Sequence, residues 1–148
     1  MEYYRVKSQP FSGTNYTELY RKARLFFKRI HLNPRRKLFI KSAYFHKQKI
    51  FFDHFWEHLL QKSIKQRKQR LKYLPCMKEL LENSLTNPRV TIQSNSEKYY
   101  RFLGQVTNGA YFAVQIKEKN HKLQCISIFP WKKKNLRLLW YINHSPRF

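Results

Sequence analysis

The dipeptide Asn108-Gly109 constrains this chain more than any other feature. It separates two runs of alternating apolar and polar residues, Tyr99 to Thr107 and Ala110 to Lys117. That combination is the strongest short-range hairpin signal a sequence carries. Lys122 to Phe129 supplies a further antiparallel strand, which Pro130 is expected to end. If Asn108-Gly109 is a two-residue turn, Thr107 opposes Ala110 and Arg101 opposes Ile116. Arg101, Leu103, Gln105, Phe112, Val114 and Ile116 then share one face. Tyr100, Phe102, Val106, Tyr111, Ala113, Gln115 and Lys117 share the other. If Glu118 opposes Leu123, then Cys125, Ser127 and Phe129 join the Arg101 face. Arg101 and Ser127 become co-facial and Lys117 opposed, unless a bulge intervenes.

Before residue 90 the hydrophobic period is helical. From Thr14, Leu19, Ala23, Phe26, Phe27 and Ile30 mark a helix that Asn33-Pro34 stops. Lys37 to Tyr44 and Lys47 to Phe52 read as a hairpin or extended pair. Asp53 is an expected N-cap for a helix to about Gln69, with Phe55, Trp56, Leu59, Leu60 and Ile64 on one face. Pro75 suits the first turn of another helix, with Met77, Leu80 and Leu81 inward. Val90-Thr91-Ile92 is a short strand. Helices followed by a meander make an α+β pattern: N-terminal helices packed on a small antiparallel sheet. No repeat or linker divides the chain, so 1–148 reads as one domain. The tail, 131–148, holds Leu136, Leu138, Leu139, Trp140, Tyr141 and Ile142 and is expected to pack, as helix or strand.

Charge narrows the function. Lys+Arg number 31 against Asp+Glu 8, a formal net charge of +23. Phe 12, Tyr 10 and Trp 3 set the chain apart from disordered basic tails, which are poor in aromatics. No acid falls between Glu18 and Asp53, a stretch with Arg35, Arg36 and Lys37 at its centre. A second basic block holds Lys62, Lys65, Arg67, Arg70 and Lys72, and a third follows Glu118 and includes Lys133, Lys134 and Arg137. Such an excess repels itself unless a polyanion shares it, so nucleic acid is the expected partner, held along its backbone by the first two blocks. No apolar run approaches the ~20 residues of a membrane span. The start has no apolar h-region, so a cytoplasmic protein is expected. Cys76 and Cys125 lack CxxC spacing and fit a reducing compartment as packed hydrophobes, one disulfide being the alternative.

Few residues suggest chemistry. His54-Phe55-Trp56-Glu57-His58 matches the HxxEH zinc pattern. A third ligand is missing, however, and His54 points away from the apolar stripe, so neither metal nor cofactor is expected. His58 lies at the border of that stripe, one turn before Lys62. A histidine there suits general acid–base work, and an ordinary surface histidine would look the same. Arg101, among strand apolar residues, suits a phosphate site or an arginine snorkelling at the sheet edge. Eight scattered acids are a poor start for a two-metal nuclease, and no Walker A or GxGxxG occurs. Nucleic-acid chemistry without metal needs a 2′-hydroxyl, and hence RNA.

In order, Phe52-Asp53-His54-Phe55-Trp56-Glu57-His58-Leu59, Arg70-Leu71-Lys72-Tyr73-Leu74-Pro75-Cys76, Tyr100-Arg101-Phe102 and Ser127-Ile128-Phe129-Pro130 resemble the phage and mobile-element nucleases of the Barnase–EndoU–Colicin–RelE (BECR) class. The resemblance covers roughly 37–130, leaving 1–36 as a helical extension and 131–148 as a tail. It implies a metal-independent endoribonuclease, a toxin or mobile-element effector, with an acidic antitoxin or immunity protein as partner. His58 would be general acid or base. Arg101 and Lys117 would clamp the scissile phosphate, and Ser127 would orient it. The alternative is a basic RNA- or DNA-binding protein without catalysis.

Overall fold

The computed structural model describes residues 2–93 and 96–132. In chain order the elements are β1 (Tyr4–Arg5), α1 (Tyr16–Ile30), β2 (Phe39–Lys41), β3 (Lys49–Phe51), α2 (Phe55–Leu60), α3 (Ile64–Leu71), α4 (Leu74–Asn83), β4 (Arg89–Ile92), β5 (Lys98–Gln105), β6 (Tyr111–Lys119) and β7 (Lys122–Trp131). The protein is α+β. Its sheet, however, has seven strands and is mixed, rather than a small antiparallel meander. The order is β1-β5-β6-β7-β3-β2, with β4 paired to β5, and β1–β5 and β3–β7 are parallel. The β5–β6–β7 meander lies at its centre.

α1 forms because Leu19, Ala23 and Phe27 recur one turn apart and are buried. Asn15 caps it, its Oδ1 accepting from Thr17 N at 2.8 Å. The helix expected from Asp53 to Gln69 is two helices. Ser63, in extended conformation, accepts from Gln66 N and starts α3 afresh. Asp53 is not the cap of α2: His54 holds that position without a side-chain bond, and Asp53 binds Lys37 and Gln124 instead. Pro75 opens α4 in its first turn, and Leu74, Met77, Leu80 and Leu81 are buried.

One cluster of buried side chains joins α1, α2 and α4 to one sheet face through Ala23, Phe27, Phe55, Leu80, Phe102, Phe112, Val114, Cys125 and Ile128. Burying each such phenyl ring contributes about 1.5–3 kcal/mol. α1 belongs to this cluster although it precedes the 37–130 span. Cys76 and Cys125 are buried free thiols. No helix among the described residues is long and apolar enough to cross a membrane.

The central hairpin corrects the expected register. Val106 and Ala110 bracket a three-residue loop: Val106 N donates to Ala110 O, and Gly109 N to Val106 O, each at 2.9 Å. Gly109, at φ +96°, closes it as a left-handed bulge residue. The pairing is therefore Arg101↔Gln115, not Arg101↔Ile116. This one-residue change moves Phe112, Val114 and Ile116 to the helix-covered core and puts Tyr111, Ala113 and Gln115 on the Arg101 face. A second shift follows on β7, where Gln115↔Ser127 is succeeded by Ile116↔Cys125 and Ile126 is the extra residue. The two shifts cancel, so Arg101 and Ser127 are co-facial. Lys117 is not opposed to them, because it alternates with Gln115 along β6 and shares that face.

β7 runs through Pro130 to Trp131 rather than ending before the proline. β3 pairs with β7 only at Leu123 and Gln124, so that edge of β7 carries no strand near Pro130 among the described residues. A residue without an N–H is tolerated there. The fold of the tail from residue 133 on, with Lys133, Lys134 and Arg137, lies outside the described residues.

Candidate functional site

Four strands put four polar side chains in one row. Arg89 of β4 is registered with Arg101 of β5, Arg101 with Gln115 of β6, and Gln115 with Ser127 of β7. Directly paired residues share a sheet face, and two arginines side by side repel each other. A helix extends the row: α3 ends alongside β7, and Arg70 donates to Ser127 Oγ at 2.5 Å.

The row lies on an aromatic floor. The Arg101 guanidinium carbon is 5.2 Å from the Trp131 ring centroid and 5.7 Å from that of Phe129. Arg70 stands over the same Phe129 ring at 5.5 Å. Leu103 and Ala113, buried, complete this second, smaller apolar cluster. Such stacking attracts each cation modestly and fixes its plane. It also takes the guanidinium groups partly out of water. Burial lowers the pKa of Arg70, and burial and then the charge on Arg89 lower that of Arg101.

No acid compensates among the described residues. All eight carboxylate side chains lie among them, and none pairs with a described arginine. Glu18 binds Lys22, Asp53 binds Lys37, Glu82 binds Lys78, and Glu97 binds Lys117 and Lys119. Glu57 faces His54, Glu118 accepts from Tyr100, and Glu79 and Glu2 receive backbone N–H groups. Arg101 reaches Gln115 Oε1 at 3.4 Å, while its buried Nε has no hydrogen-bond partner among the described residues. Most of its five donors therefore remain for an anion. The donors of Arg70 and Arg101 that no described residue occupies can bind phosphate, with the Ser127 hydroxyl beside Arg70.

The other expected residues are dispersed. His58 is exposed on α2, and its ring has no hydrogen bond to Arg101 or Ser127. Its neighbours Phe55 and Leu59 do reach the site's edge, lining a small crevice with Arg70, Ser127 and Ile128. Lys117 is on the right face but is tied to Glu97 at 3.5 Å. Lys37 is bound to Asp53 at 3.0 Å, while Arg35, Arg36 and Lys65 are exposed. Lys62 and Lys72 are half-buried at the two ends of α3, and the Lys72 carbonyl receives Phe11 N. Arg67 is turned inward, donating to Lys62 O at 2.9 Å and Leu60 O at 2.6 Å, so it holds the α2–α3 turn. His54 Nδ1 lies 3.5 Å from Glu57, and no group of three metal-ligating side chains occurs among the described residues.

Sequence reasoning missed Arg89 and Gln115, and it gave Arg70 only a backbone-holding part. The signal for Gln115 was Thr107, which makes the turn one residue longer than Asn108-Gly109 alone. Nothing local announces Arg70 or Arg89, whose positions depend on packing and on the β4–β5 register. Comparison with protein-family models, with curated proteins and with solved structures finds no match to this chain.

Proposed function

We propose that the protein binds RNA on the Arg101 face and cleaves it without a metal ion. The observation that supports this most is that Arg70 and Arg101 both stack on Phe129, Arg70 also holding Ser127, with no carboxylate paired to either among the described residues. Two partly desolvated cations without a paired carboxylate are unfavourable by themselves and become favourable once an anion binds them. RNA supplies that anion, and its bases stack on guanidinium planes. In the reaction, the 2′-hydroxyl gives up its proton and its oxygen bonds to phosphorus. The P–O5′ bond breaks, and the leaving oxygen takes up a proton. Arg70 and Arg101 stabilise the charge on the non-bridging oxygens. His58 is the proton-transferring group, and Ser127, held by Arg70, orients the phosphate. The excess of positive charge also suits an acidic inhibitor protein, an antitoxin in a toxin system.

Purified protein incubated with RNA in EDTA tests the reading. The expected result is cleavage leaving 2′,3′-cyclic phosphate ends, lost in Arg101→Ala and His58→Ala while thermal melting is retained. Activity abolished by EDTA and restored by a metal would overturn it. A second reading, RNA binding without turnover, is favoured by one observation: no hydrogen-bond partner orients the His58 ring among the described residues. It predicts tight, salt-sensitive binding, no cyclic phosphate, and an unchanged affinity in His58→Ala.

A further inference from the structure

Away from the polar row, a basin of about 770 Å³ lies beside the end of α1 and β2, rimmed by Arg29, Arg36, Lys37, Lys41, Lys47 and Lys78. Its single acid, Glu82, is bound to Lys78 at 2.6 Å. Ile30, Leu38 and Ile40 give it an apolar lining. A second cleft of about 440 Å³ is lined by Lys37, Lys117, Lys119 and Lys122, with Asp53 and His54. Asp53 is neutralised by Lys37 at 3.0 Å, and nearby Glu97 by Lys119 at 3.3 Å and Lys117 at 3.5 Å.

These places are consecutive. Lys37 lines both the basin and the cleft. Lys117, in the cleft, is two residues from Gln115 on the same face of β6, about 7 Å along the strand. Gln115 stands between Arg101 and Ser127. Arg36, Lys41, Lys47 and Lys122 make no ion pair with a carboxylate among the described residues. Their field therefore adds up along the path and attracts a chain of phosphates.

We propose that the polar row, the lysine cleft and the α1–β2 basin form one continuous track for single-stranded RNA. The row takes one phosphate, the cleft lysines take the following ones, and the basin takes a base on its apolar lining with phosphates at its rim. This rests on the RNA reading above and extends it, because the substrate becomes an extended single strand rather than a short or double-helical one.

Binding of 2′-O-methyl oligoribonucleotides, which lack the attacking hydroxyl, tests the track by fluorescence anisotropy. An oligomer of about 3 nucleotides falls below the usual single-strand site size and one of about 12 lies within it. The wild type is expected to bind the longer one far more tightly. In Arg36→Glu/Lys41→Glu, both exposed positions, the long oligomer weakens about tenfold or more and its log–log salt slope becomes shallower by about 1.4, for two lost phosphates. The short oligomer changes less than about twofold in that variant. Lys47→Glu, from a different loop, shows the same pattern at smaller amplitude and guards against a folding defect. Equal wild-type affinity for both lengths, or a double variant that binds the long oligomer normally, overturns the track and leaves the RNA reading standing. Failure of the wild type to bind either oligomer overturns that reading as well.

Discussion

Arg70 and Arg101 stand over one phenyl ring, that of Phe129, with guanidinium carbons 5.5 and 5.7 Å from its centroid. One comes from the last turn of α3 and the other from the middle of β5. Among the described residues no ion pair holds either of them, so their partial burial is a cost that folding alone does not justify.

Arg101→Met is therefore expected to separate stability from binding. The methionine keeps much of the volume, packs on Phe129 and Trp131, and removes a partly buried charge facing Arg89. Thermal melting should be unchanged or rise by about 2–4 °C, the equivalent of 1 kcal/mol in a chain of this length. RNA affinity should fall about tenfold or more, as expected for losing a charge-assisted contact. Arg101→Lys should recover only part of it, lacking the planar fork. A clear loss of stability in Arg101→Met would show that the arginine serves the fold.

Arg67→Ala should do the opposite. Its guanidinium satisfies the carbonyls of Leu60 and Lys62 and lies 5.8 Å from the Tyr16 ring centroid. Removing it should cost about 1–3 kcal/mol, measured by urea unfolding, with at most a small change in RNA affinity.

Acid should loosen the N-terminal segment. Burial alone would raise the pKa of Glu79, but the N–H groups of Lys7 and Ser8 and the Ser8 hydroxyl bind its carboxylate and bring the net shift down. A depressed carboxylate stabilises the fold fully above its unfolded pKa, about 4.3, and loses that contribution as pH falls through the lower folded value. Glu79→Gln should melt several degrees below wild type at pH 7. The two curves should converge once pH has fallen through that lower folded value, when the wild-type carboxylate is protonated as well. A gap that stays constant with pH would mean that the charge is not what holds this segment.

Two glycines of the central hairpin should fail for different reasons. Gly109→Ala meets nothing within 4 Å, so its cost is the left-handed backbone alone, about 1–2 kcal/mol. At Gly104 a Cβ would lie 2.4 Å from Phe112 Cζ and 3.0 Å from Leu80. Gly104→Ala should cost more, about 3 kcal/mol or greater, through overpacking of the ring against the helices. Comparing the two melting temperatures checks the order.

Period and punctuation in the chain were enough for α1, for Pro75 at the start of α4, for the β2–β3 pair and for the strands of the meander. These follow from contacts between near neighbours. The break at Ser63 was equally local, since an N-cap serine sits in the chain there, yet the continuous apolar stripe masked it. The co-facial Arg101 and Ser127 emerged from two unrecognised one-residue shifts that offset each other. Alternation along a strand is robust, but register depends on how many residues the turn and the bulge consume.

The sequence by itself determined the composition of the site's environment: a large excess of cations, carboxylates too few and scattered to neutralise them, and aromatic residues between them. Tertiary structure alone decided which cations meet. β4 brought Arg89 beside Arg101, α3 carried Arg70 to Ser127 across 57 residues of chain, and the α2–α3 turn drew Arg67 inward. Local sequence sets where a strand or helix forms. Which side chains then converge depends on non-local pairing and packing, for which the chain carries no short-range signal.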